Sequence, residues 1–116
     1  MKINEFVSVL MHSRTQSHVY HLMTDSYTQH EAMKKYYKNI GGLIDSFVET
    51  YQGKTGRKIK EYITFNILNT NNTVKKYFLD LVEVVKKMKV TGNDLNNIKD
   101  EIESLINQVI YMLSLK

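Results

Sequence analysis

The chain is predicted to be an all-α four-helix bundle, two helical hairpins joined by a crossover connection. Three observations point there. Apolar residues recur at threes and fours through most of the 116 residues. Proline is absent and only five glycines interrupt the pattern. The periodicity lapses once, after Gly53, where a long link between hairpins belongs. The length suits one domain, residues 1–116, which buries only a modest fraction of its surface alone and gains from self-association.

The first helix is predicted over about residues 2–22. Ile3, Phe6, Val7, Leu10 and Met11 form an apolar stripe whose continuation passes through Arg14, His18 and His21. A stripe that turns polar partway carries chemistry or buried hydrogen bonds. The second helix, about residues 28–51, has Met33, Tyr36, Tyr37, Ile40, Leu43, Ile44, Phe47 and Tyr51 on its apolar face, with His30, Gly41, Asp45 and Glu49 along an adjacent flank. Glycine in mid-helix costs about 1 kcal/mol relative to alanine, so Gly41 and Gly42 together predict a kink, a close approach by another helix, or a simple break between two short helices.

From Gly53 the sequence GKTGRKIKEYITFNILNTNNT reads as the crossover, with room for one short helix. Its GKT is not a phosphate loop, which requires glycine at position 48, where Val48 stands, and a preceding strand. A third helix is predicted over about residues 72–89 and a fourth over about 94–115, with Gly92 as the break and Asn93 or Asp94 as the cap. The charges of the fourth helix are expected on its solvated side, and Asp80, Glu83, Glu101 and Glu103 on solvated faces generally.

Chemistry concentrates in four residues: His18, His30, Asp45 and Glu49, at successive offsets of 12, 15 and 4. Imidazole nitrogen with carboxylate oxygen is the ligand set of non-haem iron and related divalent metals. Asp45 and Glu49 are neighbours on one helical face. With the hairpin midpoint at residue 24, His18 and His30 are expected to face each other at one level. His30 and Asp45 would lie roughly 22 Å apart on one helix at about 1.5 Å per residue, too far for one ion. A shared site therefore requires two subunits paired antiparallel.

The run HVYHLMTDSYTQHEAMKKYYKNIGGLIDSFVE, His18 to Glu49, resembles the first helical hairpin of the Dps mini-ferritins, whose ferroxidase motif has this spacing and lies between subunits. It is also similar to small ferritin-like proteins of tailed phages. There Thr24, Ser26, His30 and Ala32 fit a TxSxxxHxA pattern, and Asp45 to Gly53 reads DSFVETYQG. The resemblance implies a ferritin-like bundle binding iron, or another divalent metal, through His18, His30, Asp45 and Glu49. His21 and Asp25 would support the ligands from behind. The implied assembly is a homo-oligomer, at minimum a dimer, with a Dps-like cage as the larger form. The implied activity is Fe(II) oxidation or iron sequestration.

A second class of function stays open: a non-enzymatic phage accessory protein whose oligomeric scaffold binds a host protein, DNA or an anionic nucleotide. The formal charge of +4 permits a polyanionic partner, and Lys54, Arg57, Lys58 and Lys60 are its candidate anion-binding residues. The lysines are otherwise spread over several helices, as solubilising charge usually is. Without cysteine there is no disulfide or thiolate site, in keeping with a reducing cytosol. The N-terminal residues lack the apolar core of a signal peptide and no run is long enough to span a bilayer. The expected location is the cytoplasm, that of the host for a phage-encoded chain.

Overall fold

In the computed structural model, which describes residues 1–70 and 72–115, four helices account for most of the chain. They are α1 (Ile3–Met23), α2 (Tyr27–Thr55), α3 (Val74–Lys87) and α4 (Asn93–Leu113), and no strand occurs among the described residues. Asn71 and Lys116, which the predicted crossover and domain include, lie outside the described residues.

Directions follow from the contacts at each end. The α1–α2 hairpin turns at Thr24–Ser26, where Ser26 Oγ accepts from Gln29 N and Thr24 Oγ1 from Ser26 N. Residues 56–70 then travel back beside α1, and further on Thr73 Oγ1 meets Tyr20 OH at 3.5 Å. Helix α3 therefore starts at the hairpin end and runs parallel to α2. Lys54, in the last turn of α2, reaches Asp94 at the start of α4, which returns to the hairpin end. The order is up, down, down, up, which one long crossover makes possible.

The link is extended, and α1 provides its hydrogen bonds. Asn4 Nδ2 donates to Glu61 O at 3.0 Å, Ile63 N to Ser8 Oγ at 2.9 Å, and His12 Nε2 to Asn66 O at 2.8 Å. Gln16 bonds Leu68 twice, accepting its N–H at 2.6 Å and donating to its carbonyl at 2.9 Å. Asn4, Ser8, His12 and Gln16 are spaced by four, so one edge of α1 satisfies backbone groups that secondary structure would otherwise occupy. Seven crossover residues cover twelve of α1, about 18 Å or about 2.6 Å per residue, which only extended chain can do. No short helix forms among its described residues.

The core comes mainly from the apolar stripes. Phe6 meets Phe47 edge-on across the hairpin, and Tyr36 meets Phe78 between α2 and α3. Ile102, Ile106 and Val109 bury the inner face of α4. Polar groups inside are paired: Ser13 Oγ donates to Leu10 O at 2.6 Å and so accepts from Tyr36 OH at 2.7 Å. Burial pushes the Tyr36 phenol well above the usual tyrosine value, against the lowering effect of Ser13. Lys99 departs from the expected solvated side of α4. It is buried and donates through Nζ to Val85 O in the last turn of α3, where the helix dipole favours a cation.

Helix α2 outruns its predicted end. Gly53, with open space at its Cβ position, does not stop it, and Gly56, left-handed at φ 69°, does. The glycine pair leaves α2 continuous. Gly41 instead admits the Arg14 side chain, whose Cζ would stand 3.2 Å from a Cβ there, while Gly42 has nothing within 4 Å.

Candidate metal-binding face

The histidines gather where α1 ends and α2 begins. His21 and His30 stack face to face, ring centroids 3.6 Å apart. Each ring bonds the other residue's backbone: His21 Nδ1 donates to His30 O at 2.8 Å and His30 Nδ1 donates to His21 O at 3.0 Å. A carbonyl can only accept, so both neutral rings carry the proton on Nδ1 and the lone pair on Nε2. The His21 carbonyl belongs to the last turn of α1 and lacks an intrahelical partner, so His30 also caps α1.

His18 is one turn back on α1. It stacks on Tyr37 at 4.3 Å and lies 6.2 Å from the His21 ring. It does not face His30 directly, as equal distances from residue 24 predict, because the hairpin register sets His21 opposite His30 and His18 opposite Tyr37. His18 is exposed and His30 half-buried.

Asp45 and Glu49 project from α2 into solvent, one turn apart. Among the described residues neither side chain takes part in an ion pair or hydrogen bond. Beside Asp45, a hollow of about 220 Å³ is lined by Met11, Arg14 and Gly41. The histidine cluster and the carboxylate pair lie on the same hairpin about 22 Å apart along α2. No group of three or more His, Asp or Glu within reach of one ion occurs among the described residues. His21 is the buried member of the cluster, and Asp25 is exposed in the turn.

The predicted anion-binding residues are at the other end of the hairpin. Lys54 Nζ donates to Asp94 Oδ1 at 2.8 Å and to Thr91 O at 3.1 Å. That bond, with the Leu95 N–H, holds the Asp94 carboxyl below the usual carboxylate range. Arg57, Lys58 and Lys60 are exposed where the crossover begins.

His12 joins α1 to both the crossover and α3. Its Nε2–H is committed to Asn66 O, so the neutral ring accepts Tyr77 O–H at Nδ1, 2.8 Å away. Burial pushes the Tyr77 phenol far above the usual tyrosine value, and the neighbouring Tyr36 and Tyr20 act in the same direction. The polar series at spacing four on α1 was the available signal.

The fold and this face define a small helical-bundle protein with histidine and carboxylate side chains set along its first hairpin. The chain belongs to DUF5856, a family of unknown function, whose pattern matches residues 21–113. It is 29% identical over 115 residues to the "Uncharacterized 14.6 kDa protein in mobD-ri intergenic region" of Enterobacteria phage T4, covering 99% of this chain and 90% of that protein. No solved structure matches. No helix among the described residues is long and apolar enough to cross a membrane.

Proposed function

We propose that this chain is a ferritin-like metal-binding protein of phage type, whose site is shared between subunits and whose substrate is Fe(II), oxidised or sequestered there. His18 and His30 of one subunit and Asp45 and Glu49 of another are its ligands. The observation that carries this reading is the His30 Nδ1–H bond to the His21 carbonyl. Metal-binding histidines usually donate their second nitrogen in this way, which fixes the tautomer and aims the other lone pair outward. The unpaired Asp45 and Glu49 carboxylates supply the hard oxygen donors that complete an iron set.

Geometry favours a two-fold arrangement. An axis crossing α2 near Tyr37 and Lys38, midway between His30 and Asp45, sets each histidine cluster against the opposing carboxylates. Met11, Thr15, His18 and Leu22, spaced by four, three and four, are all exposed on α1, as on a helix that meets another subunit. The up-down-down-up order with one crossover is that of ferritin-like bundles.

At such a site the imidazoles hold the ion and leave positions open to peroxide or oxygen. The carboxylates favour the more highly charged ferric product. Anaerobic Fe(II) titration, with mass and metal content measured together, tests this. Iron bound in proportion to subunits of a dimer or larger assembly, then oxidised rapidly when peroxide is added, is the expected result. Unchanged metal content in a protein carrying Asp45→Ala and Glu49→Ala would sink the assignment.

A further inference from the structure

The end of the bundle remote from the histidines holds a cleft of about 750 Å³ between the first turn of α1, the last turn of α2 and the α3–α4 turn. That volume is within the about 300–1,000 Å³ common for small-molecule sites. Tyr51, Met88 and Leu95 line it with apolar surface, and Lys2, Lys54 and Lys89 stand among its walls. A second hollow of about 250 Å³ also touches Lys2 and Tyr51 and leads to Arg57, Lys58 and Lys60.

The acids nearby leave this positive charge largely uncompensated. Asp94 is bound to Lys54, Glu5 Oε1 accepts the Lys2 backbone N–H at 3.1 Å, and Glu61 in the second hollow is one carboxylate beside Arg57, Lys58 and Lys60. The Lys2 and Lys89 ammonium groups take part in no ion pair among the described residues. Lys54 instead fixes the wall. Its Nζ crosses Gly92, where any Cβ would collide with it, to hold Thr91 O and Asp94 Oδ1.

Shape selects among anions. A nucleic-acid backbone needs a track of charges along a ridge or groove, whereas here Lys2, Lys54 and Lys89 line one concavity together with the apolar Tyr51, Met88 and Leu95. We infer that this cleft binds a small phosphate-bearing molecule with a planar apolar body, of the nucleoside monophosphate class. Its phosphate lies at the Lys2 and Lys89 rim and its ring over Tyr51 and Met88. The site is independent of the metal reading, since Lys2 and His21 are about 28 Å apart along α1.

The test is an amide NMR titration of the full chain with AMP, adenosine, inorganic phosphate and a short single-stranded DNA, each separately. AMP should shift the amides of Ile3, Lys54, Thr55 and Thr91 saturably, and bind at least about tenfold more tightly than phosphate or adenosine, as loss of one charge-assisted contact or of the ring's burial implies. Lys2→Ala with Lys89→Ala should weaken AMP by at least about tenfold, whereas Lys75→Ala with Lys76→Ala should leave it unchanged. Equal binding of AMP and phosphate, DNA shifts spread over the lysines of α3, or no saturable shift in the wild-type protein would each overturn the inference. The wild-type titrations decide the matter even if the double variant fails to fold.

Discussion

His21 and His30 exchange hydrogen bonds, each imidazole to the other's carbonyl, with the rings stacked at 3.6 Å. The two bonds are unequal. The His30 carbonyl already has an intrahelical donor, whereas the His21 carbonyl depends on the His30 ring. His30→Ala should therefore destabilise the protein by about 1–3 kcal/mol, and His21→Ala by about 1 kcal/mol, in urea unfolding monitored by circular dichroism. Equal losses would mean that stacking, rather than the cap, holds the hairpin.

Gln16 is the strongest rung between α1 and the crossover. Removing it takes away two bonds to Leu68 and leaves a backbone N–H without its acceptor. Gln16→Ala should cost about 2 kcal/mol and expose residues 60–70 to protease, with tryptic cleavage at Lys60 rising before global unfolding. Gln16→Glu should be no rescue, because a carboxylate cannot donate to the Leu68 carbonyl.

Ser13 and Tyr36 should respond asymmetrically. Ser13→Ala strands a buried phenol hydroxyl and should cost about 1–3 kcal/mol, whereas Tyr36→Phe leaves Ser13 bonded to Leu10 O and should cost about 1 kcal/mol. Because burial raises the Tyr36 and Tyr77 phenols, they stay protonated in the fold at a pH where unfolded tyrosine ionises. Their contribution to stability is complete below about pH 10 and falls as the pH rises further. Absorbance at the phenolate band should therefore include a step that coincides with loss of helicity in alkali. Full ionisation of every tyrosine before unfolding would contradict it.

The Lys54–Asp94 clamp has the opposite sign. Its carboxyl is depressed, so the clamp stabilises above the ordinary carboxylate value and is lost as the pH falls through the lower folded value. Asp94→Asn should flatten the acid limb of the stability profile without altering it at neutral to alkaline pH beyond a constant offset. Gly92→Ala should cost at least about 1–2 kcal/mol, since φ 101° disfavours any side chain and a Cβ displaces Lys54.

These relationships separate what the sequence carries from what it conceals. Stripes such as Val74, Phe78, Leu81 and Val85 announce a helix because burial and helical period coincide. The turn at Thr24–Ser26 was legible, but its register was not: equal sequence distances put His18 against His30, and packing chose His21. Lys99 looked solvated because its partner is a carbonyl on another helix, which no local pattern reveals. The crossover looked irregular for a similar reason, as its bonds go to side chains of α1. The spacing of His18, His30, Asp45 and Glu49 was fully legible, and the two-subunit site proposed above rests on it.

Subunit complementation tests the shared site most directly. His18→Ala in one chain and Asp45→Ala with Glu49→Ala in another should each abolish tight Fe(II) binding and rapid oxidation alone. Mixed by co-refolding, random pairing makes half the dimers hybrid, each with one intact site, so about a quarter of the wild-type sites should return. Recovery near that fraction is the expected result. Two variants that stay inactive when mixed, in dimers shown to be hybrid, would contradict a site built from two subunits.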